Sequence, residues 1–400
     1  MPFPRPRRLK PAGRPLKKPM QVERINLFRI TLPFQKKYAI SKEERRSLTR
    51  IVVEVAANQG NLKGHGEGIP IESVTGETPE TVIRDLTSFA CESFFPSRLT
   101  EVSQIWNFVD RLPQGKEHHA ALCALEMALL DALGKEERRS LGAYLPQQFA
   151  TPYVHYGATI PLGDRSWVAQ LCGMIRHIGI RHVRIKMGLD FEQNRTALET
   201  VREVFGSDCV QRVDPNGVWN LELGLRHLPL LAEHGVAILE EPMPRTEPGF
   251  SEFAEAARAR GLTLMACESA AALDEVKAIL QEGQYRMFNV KLCRSGGFRR
   301  TLKIIDHLRE KGIPFQIGCT MGEAGLLSAA GRALALVCSD AVTYDGSYDR
   351  FMLEENLIEN DVTFGPAGKA GPLGGHGLGV TVQSETLARL SDFSTTLLVR

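Results

Sequence analysis

From Val154 onward, short apolar runs alternate with amphipathic stretches in which the apolar residues fall on one side. The runs are VHYGATI, HVRIKMG, CVQRVDP, VAILEEP, LTLMACE, MFNVKLC, PFQIGCT and AVTYDG. Brief apolar strands separated by helices of the NRTALETVREVFG type, with Leu198, Val201 and Phe205 inward, are the pattern of parallel βαβ units. About eight such strands close a barrel. Before them, VERINLFRITLP and RSLTRIVVEVAA read as two strands separated by a polar, flexible stretch around Lys36 to Arg46, and GHGEG (Gly64 to Gly68) as a tight turn. No buried strand and helix flank that glycine run in the order a dinucleotide loop needs. Thr78 to Gly134 has helical periodicity, with Leu122, Leu125, Leu129 and Leu133 on one face. Met127, His118 and His119 are assigned to packing and surface positions there. The predicted fold class is therefore α/β, an α+β unit followed by a barrel. A Gly/Pro-rich stretch, FGPAGKAGPLGGHGLGVTV, then leads a polar end segment back to the N-terminal unit.

Composition narrows the partners. Forty-nine basic and 47 acidic residues leave a net charge of +2, so nothing in the overall balance asks for a nucleic acid or a membrane. No apolar run approaches the ~20 residues that cross a bilayer. A small molecule is the expected ligand and a homo-oligomer the expected assembly. The eight cysteines contain no C-x-x-C pair. Together with the absence of a signal peptide, this points to a reducing, cytoplasmic setting. Residues 1–19 depart from the even balance, with seven Lys/Arg and six Pro. They read as a disordered basic leader, either a tail for an anionic surface or residues upstream of a true start at Met20.

In a parallel barrel the reactive side chains sit at the carboxyl ends of the strands. Charges appear at those places: Arg184 and Lys186, Asp214, Glu240, Glu268 and Lys291, with successive units 23 to 28 residues apart. Any one of them could be a solvated loop residue; in register they describe a site. Asp214, Glu240 and Glu268 make an oxygen-rich cage suited to Mg²⁺, with Mn²⁺ as the alternative cation. Lys186 and Lys291 fall on the second and sixth strands, which face each other across eight. Two amines around a cation-bound carboxylate suit removal of an α-proton, because the cation stabilises the enediolate that forms. A free lysine titrates near ~10.4 and needs positive charge or burial nearby to act as a base. Arg184, two residues from Lys186 on the same strand face, is placed to modulate it.

These residues resemble the muconate lactonizing enzyme subgroup of the enolase superfamily, over about Val22 to Val380. The matching segments are RIKMG, VDPNGVW, LEEP and NVKLCRSGG, with weaker support from GHGEG, VTGET and GHGLGV. The resemblance implies a (β/α)7β TIM-like barrel with an α+β N-terminal capping domain. The expected bounds are 20–150 for the cap, 151–350 for the barrel and 351–400 for a segment returning to the cap. It implies Asp214 and Glu240 as metal ligands, Lys186 and Lys291 as the acid/base pair, and Asn216, Asn289, Glu323 and Asp345 as substrate contacts. The lysine-and-metal chemistry is a known pattern of that superfamily. Two departures stand out. Arg184 replaces the family's first lysine, and Cys267 in ACES stands where relatives carry the aspartate of A-D-E-S. A thiolate is a poor partner for Mg²⁺, so either Glu268 substitutes or Cys267 is an altered ligand. Dipeptide epimerases carry D-x-D at the eighth strand, where this chain has Asp345-Gly346-Ser347, and GCTMGE lacks the histidine of the mandelate racemase branch. The first expectation is a racemase or epimerase of an amino acid derivative. The alternatives are a cycloisomerase or dehydratase, the latter a lyase, and a barrel that binds a carboxylate without turnover.

Overall fold

The computed structural model describes residues 18–40 and 43–399; nearly all of the basic leader lies outside them. The first strand, Met20–Ile40, pairs antiparallel with Glu43–Ala57, which pairs with Leu62–Gly68. The final strand, Ser391–Leu398, pairs with the other edge of Met20–Ile40, from Arg24 opposite Leu398 to Ile30 opposite Ser391. From Ile25 along the first strand, the buried apolar positions are Ile25 and Leu27, then Ile30, Leu32 and Phe34. The phase changes beside an irregularity in the pairing at Arg29/Ile30, so the two sets face opposite sides of the sheet.

Several expectations are corrected here. The Lys36 to Arg46 stretch is largely hairpin rather than loop: Tyr38 pairs with Arg45 and Ile40 with Glu43. Residues 41–42 lie outside the described residues. GHGEG is not a turn but part of the strand Leu62–Gly68. The turn precedes it, with positive φ at Asn58, Gln59 and Gly60. Its alternate glycines face the helix His119–Glu137, and a Cβ on Gly64, Gly66 or Gly68 would land on the carbonyl oxygens of Ala128, Ala124 and Ala120. The glycines thus let helix backbone and sheet meet directly. Gly66→Ala is therefore expected to destabilise the protein by about 1–3 kcal/mol or more. Urea unfolding measures this, and an unchanged midpoint would refute the close approach.

The helix His119–Glu137 is not one-sided either. Every residue from His119 to Gly134 is buried, because the sheet covers one face and the barrel another. Glu126 Oε1 accepts from Arg299 N, at the start of the helix Phe298–Glu310, at 3.0 Å. His119 is a core residue, its Nδ1 2.5 Å from the Arg294 carbonyl.

Seven parallel strands follow in sequence order: Ala158–Ile160, His182–Lys186, Val210–Asp214, Ile238–Glu240, Thr263–Ala266, Met287–Lys291 and Phe315–Gly318. The eighth run contributes only bridges. Tyr344 pairs with Ile317 on one side and Tyr156 on the other, which closes the cylinder. Amphipathic helices alternate with the strands, and in Phe191–Phe205 the buried face includes Leu198, Val201 and Phe205. The architecture is a (β/α)7β barrel capped by an antiparallel α+β unit. All eight cysteines are free. Among the described residues, no helix is long and apolar enough to cross a membrane.

The barrel interior is divided. Ile238, Met265 and Met287, on strands four to six, form a small apolar cluster of their own. On strands two, three, seven and eight the interior positions are Arg184, Arg212, Gln316 and Asp345, all buried. Arg212 Nη2 lies 2.6 Å from Asp345 Oδ2, Gln316 Nε2 donates to the same oxygen at 2.9 Å, and Arg212 Nη1 donates to Gln316 Oε1.

Candidate active site

Above this polar layer, at the carboxyl ends of the strands, side chains of strands two to six converge. Lys186 Nζ donates to Asp214 Oδ2 at 2.6 Å and to Asn216 Oδ1 at 2.7 Å. The Asn216 amide donates to Glu268 Oε1 at 3.1 Å. Its backbone, at φ 52°, directs N–H onto Asp214 Oδ1 at 2.9 Å. Asn289 donates to Glu240 Oε1 at 2.7 Å. Gly318 makes room for that amide, since a Cβ there would strike Asn289 Oδ1. Arg184 Nη1 lies between three carboxylates, 3.9 Å from Asp214, 3.9 Å from Glu240 and 3.5 Å from Asp345. Lys186 and Arg184 therefore share Asp214.

The electrostatics follow from burial and crowding. Burial, and then the neighbouring Glu240 charge, raise the Asp214 carboxyl. Burial would raise Glu240 too, but the Arg212 and Arg184 guanidiniums, helped by Lys291 and Lys186, hold it well below the usual carboxylate range. Glu268 is also lowered; burial opposes this, and Lys291 and Lys186 outweigh it. Both lysines thus act on the same two carboxylates, Glu240 and Glu268, from opposite walls of the barrel. Burial disfavours the Lys291 ammonium, yet its pKa is raised, by Cys267 first and then by the Glu268 and Glu240 carboxylates. Burial first, and the Glu268 charge next, push the Cys267 thiol far up.

The remaining predicted residues are placed as follows. Cys267 is buried, its Sγ 3.0 Å from Arg294 Nη1. Asp345 belongs to the polar layer beneath the site, bound to Arg212 and Gln316. Glu323 lies in the loop after strand seven, accepting from Thr320 N at 2.5 Å. Burial, and the nearby Glu67 charge, push its carboxyl up to about 8. Four residues escaped the sequence reading. Arg212 precedes Asp214 by two and Gln316 lies inside the seventh strand, so the same-face rule that singled out Arg184 reaches Arg212 as well. Arg294 and Glu241 carry no comparable local signal.

Hard oxygen donors and negative charge are concentrated at Asp214, Glu240 and Glu268, and Glu268 Oε2 is buried without a hydrogen-bond partner. That orphaned oxygen is what a cation pocket leaves behind, so the residues present fit Mg²⁺ in charge and donor type. They do not stand as a ready-made shell. Among the described residues, no three His, Cys, Asp or Glu side chains are grouped as a metal site; Lys186 and the Asn216 amide lie between the carboxylates.

Residues 26–145 match the mandelate racemase / muconate lactonizing enzyme N-terminal domain, and residues 167–386 match the enolase C-terminal domain-like family. The chain belongs to the enolase superfamily. It is 24% identical over 381 residues to the N-succinyl-L-Arg/Lys racemase of Bacillus cereus, a match spanning 94% of this chain and 99% of the relative. It is 26% identical over 323 residues to the chloromuconate cycloisomerase of a Pseudomonas species, covering 79% and 84%. The crystal structure of a dipeptide epimerase from Cytophaga hutchinsonii, complexed with Mg and D-Ala-L-Val, superposes with a TM-score of 0.81 at 21% identity, over 95% of this chain and all of that one. A racemase, a cycloisomerase and an epimerase are all isomerases, and this superfamily member is an enzyme of that class.

Proposed function

We propose that this enolase superfamily member is a racemase or epimerase of an amino acid derivative, taking the α-proton of a carboxylate substrate on one face and returning a proton on the other. The observation that carries the reading is the position of Lys186 and Lys291 at the carboxyl ends of the second and sixth strands, which face each other across the barrel, with Asp214, Glu240 and Glu268 borne at the ends of the strands between. Lys186, aimed by Asp214 and Asn216, serves one face of the α-carbon and Lys291 the other. Asp214, Glu240 and Glu268 would hold Mg²⁺, which supplies the positive charge that stabilises the anion left when the proton departs. Asn289 fixes the Glu240 carboxylate, Arg184 keeps positive charge beside Lys186, and the Met20–Ile40/Glu43–Ala57 hairpin bears on substrate choice.

The strand-eight residues favour a substrate whose nitrogen is acylated. Asp345 is committed to Arg212 and Gln316, and Ser347, in place of a second acid, accepts from Arg332 at 2.8 Å. A free substrate ammonium finds no unengaged carboxylate there. Incubation with N-succinyl amino acids in deuterated water containing Mg²⁺ is expected to give α-deuterium incorporation and loss of optical activity, with unblocked dipeptides slower. No exchange with any amino acid derivative would sink the reading.

A cycloisomerase or dehydratase is the second reading. It is favoured by the carboxylates around Lys291, which suit a permanent ammonium that stabilises charge while Lys186 alone acts as base. Lys291→Arg keeps the charge without the basicity. Turnover surviving that change would decide for this second reading.

A further inference from the structure

We infer that Glu241 is a positioning residue, turning the chain after the fifth barrel strand so that Glu268, the residue after Cys267, presents its side chain to the cation pocket; the inference rests on the cation-assisted reading above. Strand alternation predicts the opposite. Met265 faces the barrel interior, so two residues on Cys267 should face inward as well and Glu268 should face out. Yet Glu268 Oε1 accepts from Asn216, inside the site. Something has to rotate the backbone between these residues.

One carboxylate oxygen meets the whole turn. Glu241 Oε2 accepts from Cys267 N at 2.7 Å, from Ser269 Oγ at 3.1 Å and from Ser269 N at 3.4 Å. The two backbone donors flank Glu268, and Ala270 N closes the turn onto the Cys267 carbonyl at 3.1 Å. On the other side, Arg294 holds the Cys267 sulfur and also donates to the Asn289 carbonyl.

Glu241 is itself held in an uncommon state. Its φ is +38°, a left-handed value that is costly for a residue with a side chain. Its N–H donates to the Met265 carbonyl at 2.9 Å and its carbonyl accepts from Gly217 N at 2.6 Å. The residue thus ties together the ends of strands three, four and five, which bear Asp214, Glu240 and Glu268. Strain held this firmly beside a site has a use there: it aims the carboxylate at the strand-five turn.

The test uses the full chain, with Mn²⁺ as the probe and free Mn²⁺ followed by electron paramagnetic resonance. Glu241→Ala is expected to weaken Mn²⁺ binding by about 10–100-fold, the usual effect of losing a partner that orients a ligand. Glu268→Gln should match it. Glu241→Gln should stay close to wild type, since its amide oxygen can take the place of Oε2. Turnover by Glu241→Ala should recover as the divalent cation is raised, which a general loss of packing would not allow. If the alanine variant does not fold, Glu241→Asp, one methylene too short to reach, is expected to show the same loss. Wild-type Mn²⁺ affinity in either short variant, with Glu268→Gln weakened, overturns the role of Glu241 alone. A wild-type protein that takes up no Mn²⁺ overturns it together with the cation-assisted reading.

Discussion

Lys291→Ala is expected to lower kcat by about 10²–10⁴-fold, the range for removing a positioned acid or base, with KM little changed. The side chain serves the moving proton rather than ground-state binding. The loss should be uneven between substrate hands. With Lys186 in place, the enantiomer whose α-hydrogen faces strand two should still exchange with solvent deuterium, while its mirror image does not. Lys186→Ala should reverse that preference. Proton NMR of each pure enantiomer in deuterated water gives the answer, and equal residual exchange of both hands by either variant would contradict a two-faced mechanism.

The second large effect lies where the cap meets the barrel. Arg50 Nη1 lies 2.9 Å from Glu67 Oε1, both side chains are fully buried, and Arg50 also donates to the Gly322 carbonyl at 2.8 Å. Glu67 in turn accepts from Ala324 N at 2.9 Å and Leu327 N at 3.0 Å, at the start of the helix Gly325–Ala335. Glu67→Ala strands a guanidinium in the core and frees two backbone donors, so it is expected to destabilise the protein by about 3–5 kcal/mol. Replacing both Arg50 and Glu67 by methionine should recover part of this. Denaturant unfolding of the two variants beside the wild type measures it, and a Glu67→Ala loss under about 1 kcal/mol would put the pair in the class of surface bridges. Glu323 shares the anchored loop, so activity should fall as well.

The barrel was readable because its strands repeat one rule. A charge recurs at the same place in successive units, and Lys186, Asp214, Glu240 and Lys291 each end a barrel strand. Where neighbours decide, local pattern misleads. Gly64, Gly66 and Gly68 look like a turn because nothing within the segment shows that a helix from residues 119–137 will press against it. The leucines of that helix suggest one buried side, whereas its alanines and Gly134 are enclosed as well. The turn that carries Cys267 and Glu268 is likewise held by contacts from outside it, through Glu241 and Arg294. Asp345 was recognisable as a strand-eight acid, but its commitment to Arg212 and Gln316 depends on residues 133 and 29 positions away.

The pairing of Ser391–Leu398 with the first strand carries a consequence for biogenesis. During translation the cap's opening strand emerges ahead of the barrel, and its partner emerges only after the barrel has been made. Until then one long border of unpaired amides and carbonyls stays open, the kind of border to which other chains adhere. Shortening the chain at Leu390 would make that interim condition permanent.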